Sequence, residues 1–197
     1  MYHISSDGAP VIRQRAALDP NAPPNVLETL SKDEEWKVRD SVARNRNTPT
    51  QVLETLSKEK DWNFRKSVAN KQSTPTHFLE ILSKDEHREV RANVARNRNA
   101  PAHLLETLSK DKEWEVRKSV AGNPNTPPHL LETLSKDKHW YVRYSVADNP
   151  NTPLHVLENL SKEKDKDVRY SERFIRLKTI SMFVLGLLIA QALLFLL

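Results

Sequence analysis

Residues 111–127 read DKEWEVRKSVAGNPNTP and residues 137–153 read DKHWYVRYSVADNPNTP, with PHLLETLSK between them. The two strings stand 26 residues apart, and the register runs from about residue 11 to residue 172. Pro23, Pro49, Pro75, Pro101, Pro127 and Pro153 hold it, as do Leu27, Leu53, Leu79, Leu105, Leu131 and Leu157. Leu30, Leu56, Leu82, Leu108, Leu134 and Leu160 keep the same step. So do Arg39, Arg65, Arg91, Arg117, Arg143 and Arg169, with Arg13 one step earlier. Self-similarity at a fixed short period marks a stacked-repeat architecture.

Within a unit, the Leu half has apolar residues on one side, as in Val52, Leu53 and Leu56, with Glu54 turned away. That is the pattern of a short helix over about 49–57. Thr48-Pro49, Thr74-Pro75, Thr126-Pro127 and Thr152-Pro153 place an N-cap residue before a proline at the first helical position. Thr48 and Gln51 have capping-box spacing. The second half predicts another helix over about 61–69, with Phe64 and Val68 facing inward and Ala69 admitting a close neighbour. Asn45, Asn97, Asn123 and Asn149 offer left-handed backbone or side-chain turn bonds. Helices of two or three turns are marginal alone, so stability must come from stacking unit on unit.

The Asp–Val-Arg–Val-Ala half and the Asn-Pro-Asn-Thr-Pro turn, seen best at Asp111–Pro127 and Asp137–Pro153, resemble the leucine-rich repeat variant family over about residues 11–172. More distantly they resemble HEAT-type repeats, including those of bilin lyases and repeat-built DNA glycosylases. The resemblance implies short 3₁₀ and α helices in alternation, a right-handed superhelix, no β-strand and no catalytic residue. Some family members carry a Cys-rich iron–sulfur module, which this chain, with no Cys, does not share. The fold class expected is therefore all-α: a right-handed solenoid of paired short helices, period 26, plus a C-terminal apolar helix. The expected organisation is a flexible start at 1–9, a half-repeat at 10–22 and six repeats over 23–172, the last incomplete. A basic flank and a transmembrane helix fill 173–197.

Without Cys there is no thiolate metal site and no Cys nucleophile, and three Gly leave no phosphate-cradling loop. No cofactor is expected. The net charge of +5 is not spread along the chain, for Arg173, Arg176 and Lys178 follow the last acidic residue, Glu172. No nucleic-acid partner is expected either. The Arg column is matched, six residues upstream, by Asp33, Glu59, Asp85, Asp111, Asp137 and Glu163, which would oppose phosphates. The two columns read as an internal ladder, each acid pairing with an Arg of its own or the next layer.

His77, His103, His129 and His155 share one repeat position. Layers about 8–10 Å apart cannot bring equivalent His residues within roughly 2.1 Å of one ion, so the column is no metal site. It is a surface column, with a pH-sensitive contact surface as the functional version. Trp36, Trp62, Trp114 and Trp140 form a further column, replaced by Arg88 and Lys166 in the other repeats. It serves either packing between layers or partner contact. The Glu28, Glu54, Glu80, Glu106, Glu132 and Glu158 column lies on an exposed helix face and is not a catalytic pair.

Residues 180–197 form an apolar run of about 27 Å as a helix, near the roughly 30 Å of a bilayer core. Arg173, Arg176 and Lys178 precede it. The sequence thus suggests a single-pass tail anchor touching the lipid bilayer, with the repeats in the cytoplasm. The function expected is a membrane-tethered interaction scaffold without catalysis of its own. The alternatives are a soluble HEAT-like enzyme or lyase-type domain and a purely structural membrane-associated repeat protein.

Overall fold

The computed structural model describes residues 9–163 and 166–169. Among them thirteen α-helices alternate between two rows. One row, here the B helices, comprises α1 (Pro10–Leu18), α3 (Trp36–Arg44), α5 (Trp62–Asn70), α7 (Arg88–Arg96), α9 (Trp114–Gly122), α11 (Trp140–Asp148) and α13 (Lys166–Arg169). The A helices are α2 (Pro24–Leu30), α4 (Thr50–Ser57), α6 (Thr76–Leu82), α8 (Ala102–Leu108), α10 (Pro128–Leu134) and α12 (Leu154–Leu160). Each B helix packs on the B helices before and after it, while the A helices pack chiefly on the B helices that flank them. The result is an all-α right-handed solenoid of short paired helices.

The columns seen in the sequence form its core. Leu27, Leu79, Leu105 and Leu131 are fully buried, with Leu56 and the rest of the second Leu column beside them. From the B row come Val38, Phe64, Val90, Val116 and Val142, then Val42, Val68, Val94, Val120 and Val146. Each large apolar side chain removed from water contributes about 1.5–3 kcal/mol, and a one-repeat-thick core needs all of them. Ala43, Ala69, Ala95, Ala121 and Ala147 are fully buried, and their small side chains let successive B helices approach. Ile12 occupies the register of Val38 yet is 61% exposed, because α1 is the first described layer.

Three local expectations need correction. Both rows are α-helical, with no 3₁₀ segment among the described residues. Second, Thr48, Thr74, Thr126 and Thr152 are not N-caps; Pro49, Pro75, Pro127 and Pro153 occupy the cap positions of the A helices. Each Thr Oγ1 instead donates backward to the carbonyl of Val42, Val68, Val120 or Val146, at 2.5–2.6 Å. The hydroxyl thus satisfies an orphan carbonyl at the end of one helix, leaving the rigid proline to start the next. Third, no described non-Gly residue has a positive φ, so none of these Asn residues supplies a left-handed backbone.

The membrane element is corrected as well. No helix among the described residues is long and apolar enough to cross a membrane. The longest have nine residues, about 13.5 Å against a core of about 30 Å, and only one face of each is apolar. The span expected at 180–197, with its flank Arg173, Arg176 and Lys178, lies outside the described residues. The C-terminal apolar helix, the single-pass tail anchor, the bilayer contact and the cytoplasmic orientation therefore have no structural element beneath them and are set aside.

Candidate interaction surface

Two hydrogen-bonded ladders fix the spacing of the layers. In the first, Arg65 donates through Nε and Nη2 to both carboxylate oxygens of Asp85 in the following repeat, at 2.6 and 3.0 Å. Its Nη1 also donates to the carbonyls of Glu59 and Lys60 in its own repeat, at 2.7 Å each. One guanidinium thus ties two layers together, using a fork suited to a carboxylate. The Asp closes the joint by accepting the N–H of His87, which shapes the turn into α7. Arg13–Asp33, Arg91–Asp111 and Arg117–Asp137 repeat the bidentate contact at 2.5–3.0 Å. The hydrogen bond from Arg13 holds Asp33 below the usual carboxylate range. At Asp85, Asp111 and Asp137 burial pushes upward, but Arg and backbone N–H donors outweigh it, and these too sit low.

The two glutamates in the acidic column behave differently. Glu163 meets Arg143 through a single contact of 3.3 Å, and Arg143 Nε has no hydrogen-bond partner. Arg39 and Glu59 form no ion pair; the Arg39 guanidinium lies 5.1 Å from the centre of the Phe64 ring. The extra methylene spoils the two-point fit, and Phe64, standing where Val38 and Val90 stand in their repeats, offers a cation–π contact instead. Arg169 ends α13, and its side chain lies outside the described residues.

The second ladder went unrecognised in the sequence. Asn97 Nδ2 donates to Ala69 O and Lys71 O of the preceding repeat, at 2.8 and 2.9 Å, while its Oδ1 accepts the N–H of Asn99. Asn45, Asn123 and Asn149 do the same one layer along. All four are buried. A fixed Asn in a turn suggested local bonding; that it reaches a layer 26–28 residues away follows only from the stacking.

The His and Trp columns occupy different places. His77, His103, His129 and His155 are exposed on the A row. His103, His129 and His155 reach back to Glu80, Glu106 and Glu132 at 3.5, 3.7 and 2.5 Å, making a regular stripe. The Trp column opens the B helices. Trp36 is exposed, whereas Trp62, Trp114 and Trp140 pack partly against the core. Trp62 stacks on His87 at 3.9 Å and Trp114 on His139 at 4.2 Å, nearly parallel in both cases. Among the described residues no group of three or more His, Asp or Glu is placed to hold a metal ion.

What the repeats do not share is the outward face of the B helices. Three positions on each helix, spaced i, i+3 and i+7, point away from the A row. They hold Lys37, Asp40 and Arg44 on α3; Asn63, Lys66 and Asn70 on α5; Glu89 and Arg96 on α7, where Ala92 at the middle position is buried. On α9 they are Glu115, Lys118 and Gly122, and on α11 Tyr141, Tyr144 and Asp148. Neighbouring layers touch across this face, through Ser67–Asp40, Arg88–Glu115, Arg96–Ser119 and Lys118 over Tyr141. It is a continuous surface, basic around α3 and α5 and aromatic around α11, where Lys118, Trp140, Tyr141, Tyr144 and Asp167 line a hollow of about 420 Å³.

The family model described as leucine rich repeat variant matches residues 88–113 and 114–139, two consecutive units of the period. These two units match as leucine-rich repeat variants. A solved structure described as a leucine-rich repeat variant with a novel repetitive structural motif is similar over 84% of this chain, at 30% identity and a TM-score of 0.63. The chain spans 65% of the length of that protein. An engineered protein of known structure is similar at 15% identity with a TM-score of 0.35. No curated protein matches in sequence. Within this chain the residues that recur at the repeat positions are the ones that build the ladders and the core.

Proposed function

We propose that this chain is a protein-interaction solenoid whose recognition surface is the outward face of the B helices. The observation that carries this reading is a contrast within the chain. Core and ladder positions hold nearly the same residue in every repeat, and the A row repeats its His and Glu. The outward B positions change charge, size and polarity from one layer to the next. A uniform stack needs no such variety, whereas a surface meeting an irregular partner does. The aromatic end adds Trp and Tyr, the residues that anchor interfaces most often. The Trp column takes part through Trp114 and Trp140, which border this face. The His–Glu stripe serves the A row as contact between layers. The membrane-tethered form of the reading is not carried forward, and an untethered repeat domain remains. The HEAT-like enzyme version would need a cluster of reactive side chains, and none is assigned among the described residues.

The test is chemical cross-linking of the full chain in cell extract, comparing the native protein with a variant in which Lys66, Lys118 and Tyr141 are Ala. Cross-linked partners should fall at least tenfold while circular dichroism and the thermal midpoint hold. Unchanged partners in that variant would contradict the reading.

A further inference from the structure

The B-row face holds a cleft of about 590 Å³ across α3, α5 and α7, within the range of small-ligand pockets. Its walls carry Arg44, Arg46, Lys66, Asn70, Lys71 and Gln72, with hydroxyl and amide groups beside them and no carboxylate. Asp40, which borders the lining, is held by Arg44 at 2.8 Å and by the hydroxyl of Ser67 at 3.0 Å. Arg46 donates to Pro20 O at 3.2 Å, and Lys66 lies 4.5 Å over the Trp62 ring.

Arg44 has an ordinary structural explanation, since a cation in the last turn of a helix is favoured by the helix dipole. Lys71 does not. It occupies the position of Asn45, Asn97, Asn123 and Asn149, and so breaks the asparagine ladder at one layer. Where an Asn makes two bonds to the previous layer and one within its turn, Lys71 makes one, from Nζ to Asn45 O. The half-buried ammonium is also held below its usual pKa by burial. The fold gives up hydrogen bonds here and places a cation at the floor of a cleft already lined with donors.

Building on the interaction reading above, we infer that this cleft binds an acidic peptide segment, with closely spaced Asp or Glu carboxylates seated against Arg46, Lys66 and Lys71. An extended chain fits better than a lone anion. The cleft is open and spans three layers, and its amides at Asn70 and Gln72 suit peptide N–H and C=O groups while the cations suit carboxylates. Charge complementarity also makes the contact steered and sensitive to salt.

The probe is a fluorescein-labelled hexaglutamate peptide, with hexaglutamine as control, titrated into the full chain at 50 mM and 150 mM salt. The decisive variant is Lys71→Asn, which installs the residue the other layers use and so keeps or raises the thermal midpoint. Hexaglutamate should bind at least tenfold better than hexaglutamine, weaken with salt, and lose at least tenfold in Lys71→Asn. Equal binding by the variant overturns the assignment, as does equal binding of the two peptides. Complete displacement by millimolar inorganic phosphate also overturns it, reducing the cleft to a simple anion site. If hexaglutamate fails while partners still cross-link to the B row, the acidic-peptide assignment alone falls. If both fail, the interaction reading falls with it.

Discussion

Truncating Asp111 to Ala and Glu59 to Ala removes a carboxylate from the same column of the repeat, yet the two changes should have very different costs. Asp111 accepts two hydrogen bonds from Arg91, at 2.6 and 3.0 Å, and one from the N–H of Glu113 at 2.9 Å. Arg91 is 8% exposed. Removing one partner of a buried ion pair costs about 3–5 kcal/mol. Arg91 would still donate to Asp85 O and Glu86 O, at 2.8 and 2.9 Å, so its charge is not abandoned and the lower end applies, about 3 kcal/mol. For a chain of this size each kcal/mol shifts the midpoint by about 2–4 °C, giving a fall of about 6–12 °C. Glu59 has no ion-pair partner, and its backbone bonds to Leu56 and Arg65 survive truncation, so Glu59→Ala should stay within about 0.5 kcal/mol. Thermal and urea unfolding followed by circular dichroism measure both. Amide exchange across α7 and α9 should show whether the loss is local, because repeat arrays need not unfold in one step. Equal losses from the two variants would refute the claim that the bidentate rung, rather than the acidic column as such, joins the layers.

Restoring the missing rung should work in the opposite direction: Glu59→Asp combined with Phe64→Val recreates the Arg65–Asp85 environment at Arg39, and the midpoint should rise by a few degrees in thermal unfolding. The carboxylates of Asp33, Asp85, Asp111 and Asp137 are held low in the folded chain. Their stabilisation is complete above the unfolded value of about 3.9 and is lost as pH falls through the folded values. Acid titration should therefore show a flat midpoint down to about pH 4 and a steep decline below it, a decline that Asp→Asn changes at all four rungs should flatten. Asn97→Ala leaves the carbonyl of Ala69 without its side-chain donor, while Lys71 O keeps the N–H of Thr74, and should cost about 1–3 kcal/mol in urea unfolding, with faster amide exchange at the end of α5.

Most of the fold was legible because a repeat states its rules several times over. One copy of Val-Arg-x-x-Val-Ala says little, but the same string in register showed which positions are buried and that Arg and Asp belong together. The direction of that pairing was not legible: an Asp six residues before one Arg and 20 after another has two candidates, and only the packed layers show that it takes the latter. Thr48 misled because a Thr before Pro satisfies the rule for a helix start, whereas the competing carbonyl of Val42 is visible only once the previous helix is in place. The apolar run at 180–197 prompted a membrane helix from its composition alone; the described residues supply no such element. The B-row surface escaped notice for the converse reason. Residues such as Lys66, Lys118 and Tyr144 look like noise against the period, and they mark a surface only when the helices set them side by side.

The most direct test places a photo-crosslinking residue in the full chain at position 70, on the B row, and in a second version at position 106, on the A row. Both native residues are exposed, so the probe disturbs neither the core nor the ladders. The account predicts specific protein adducts from position 70, suppressed by excess unlabelled chain, and none from position 106. Adducts from position 106 alone would contradict it and move the recognition surface to the His–Glu stripe of the A helices.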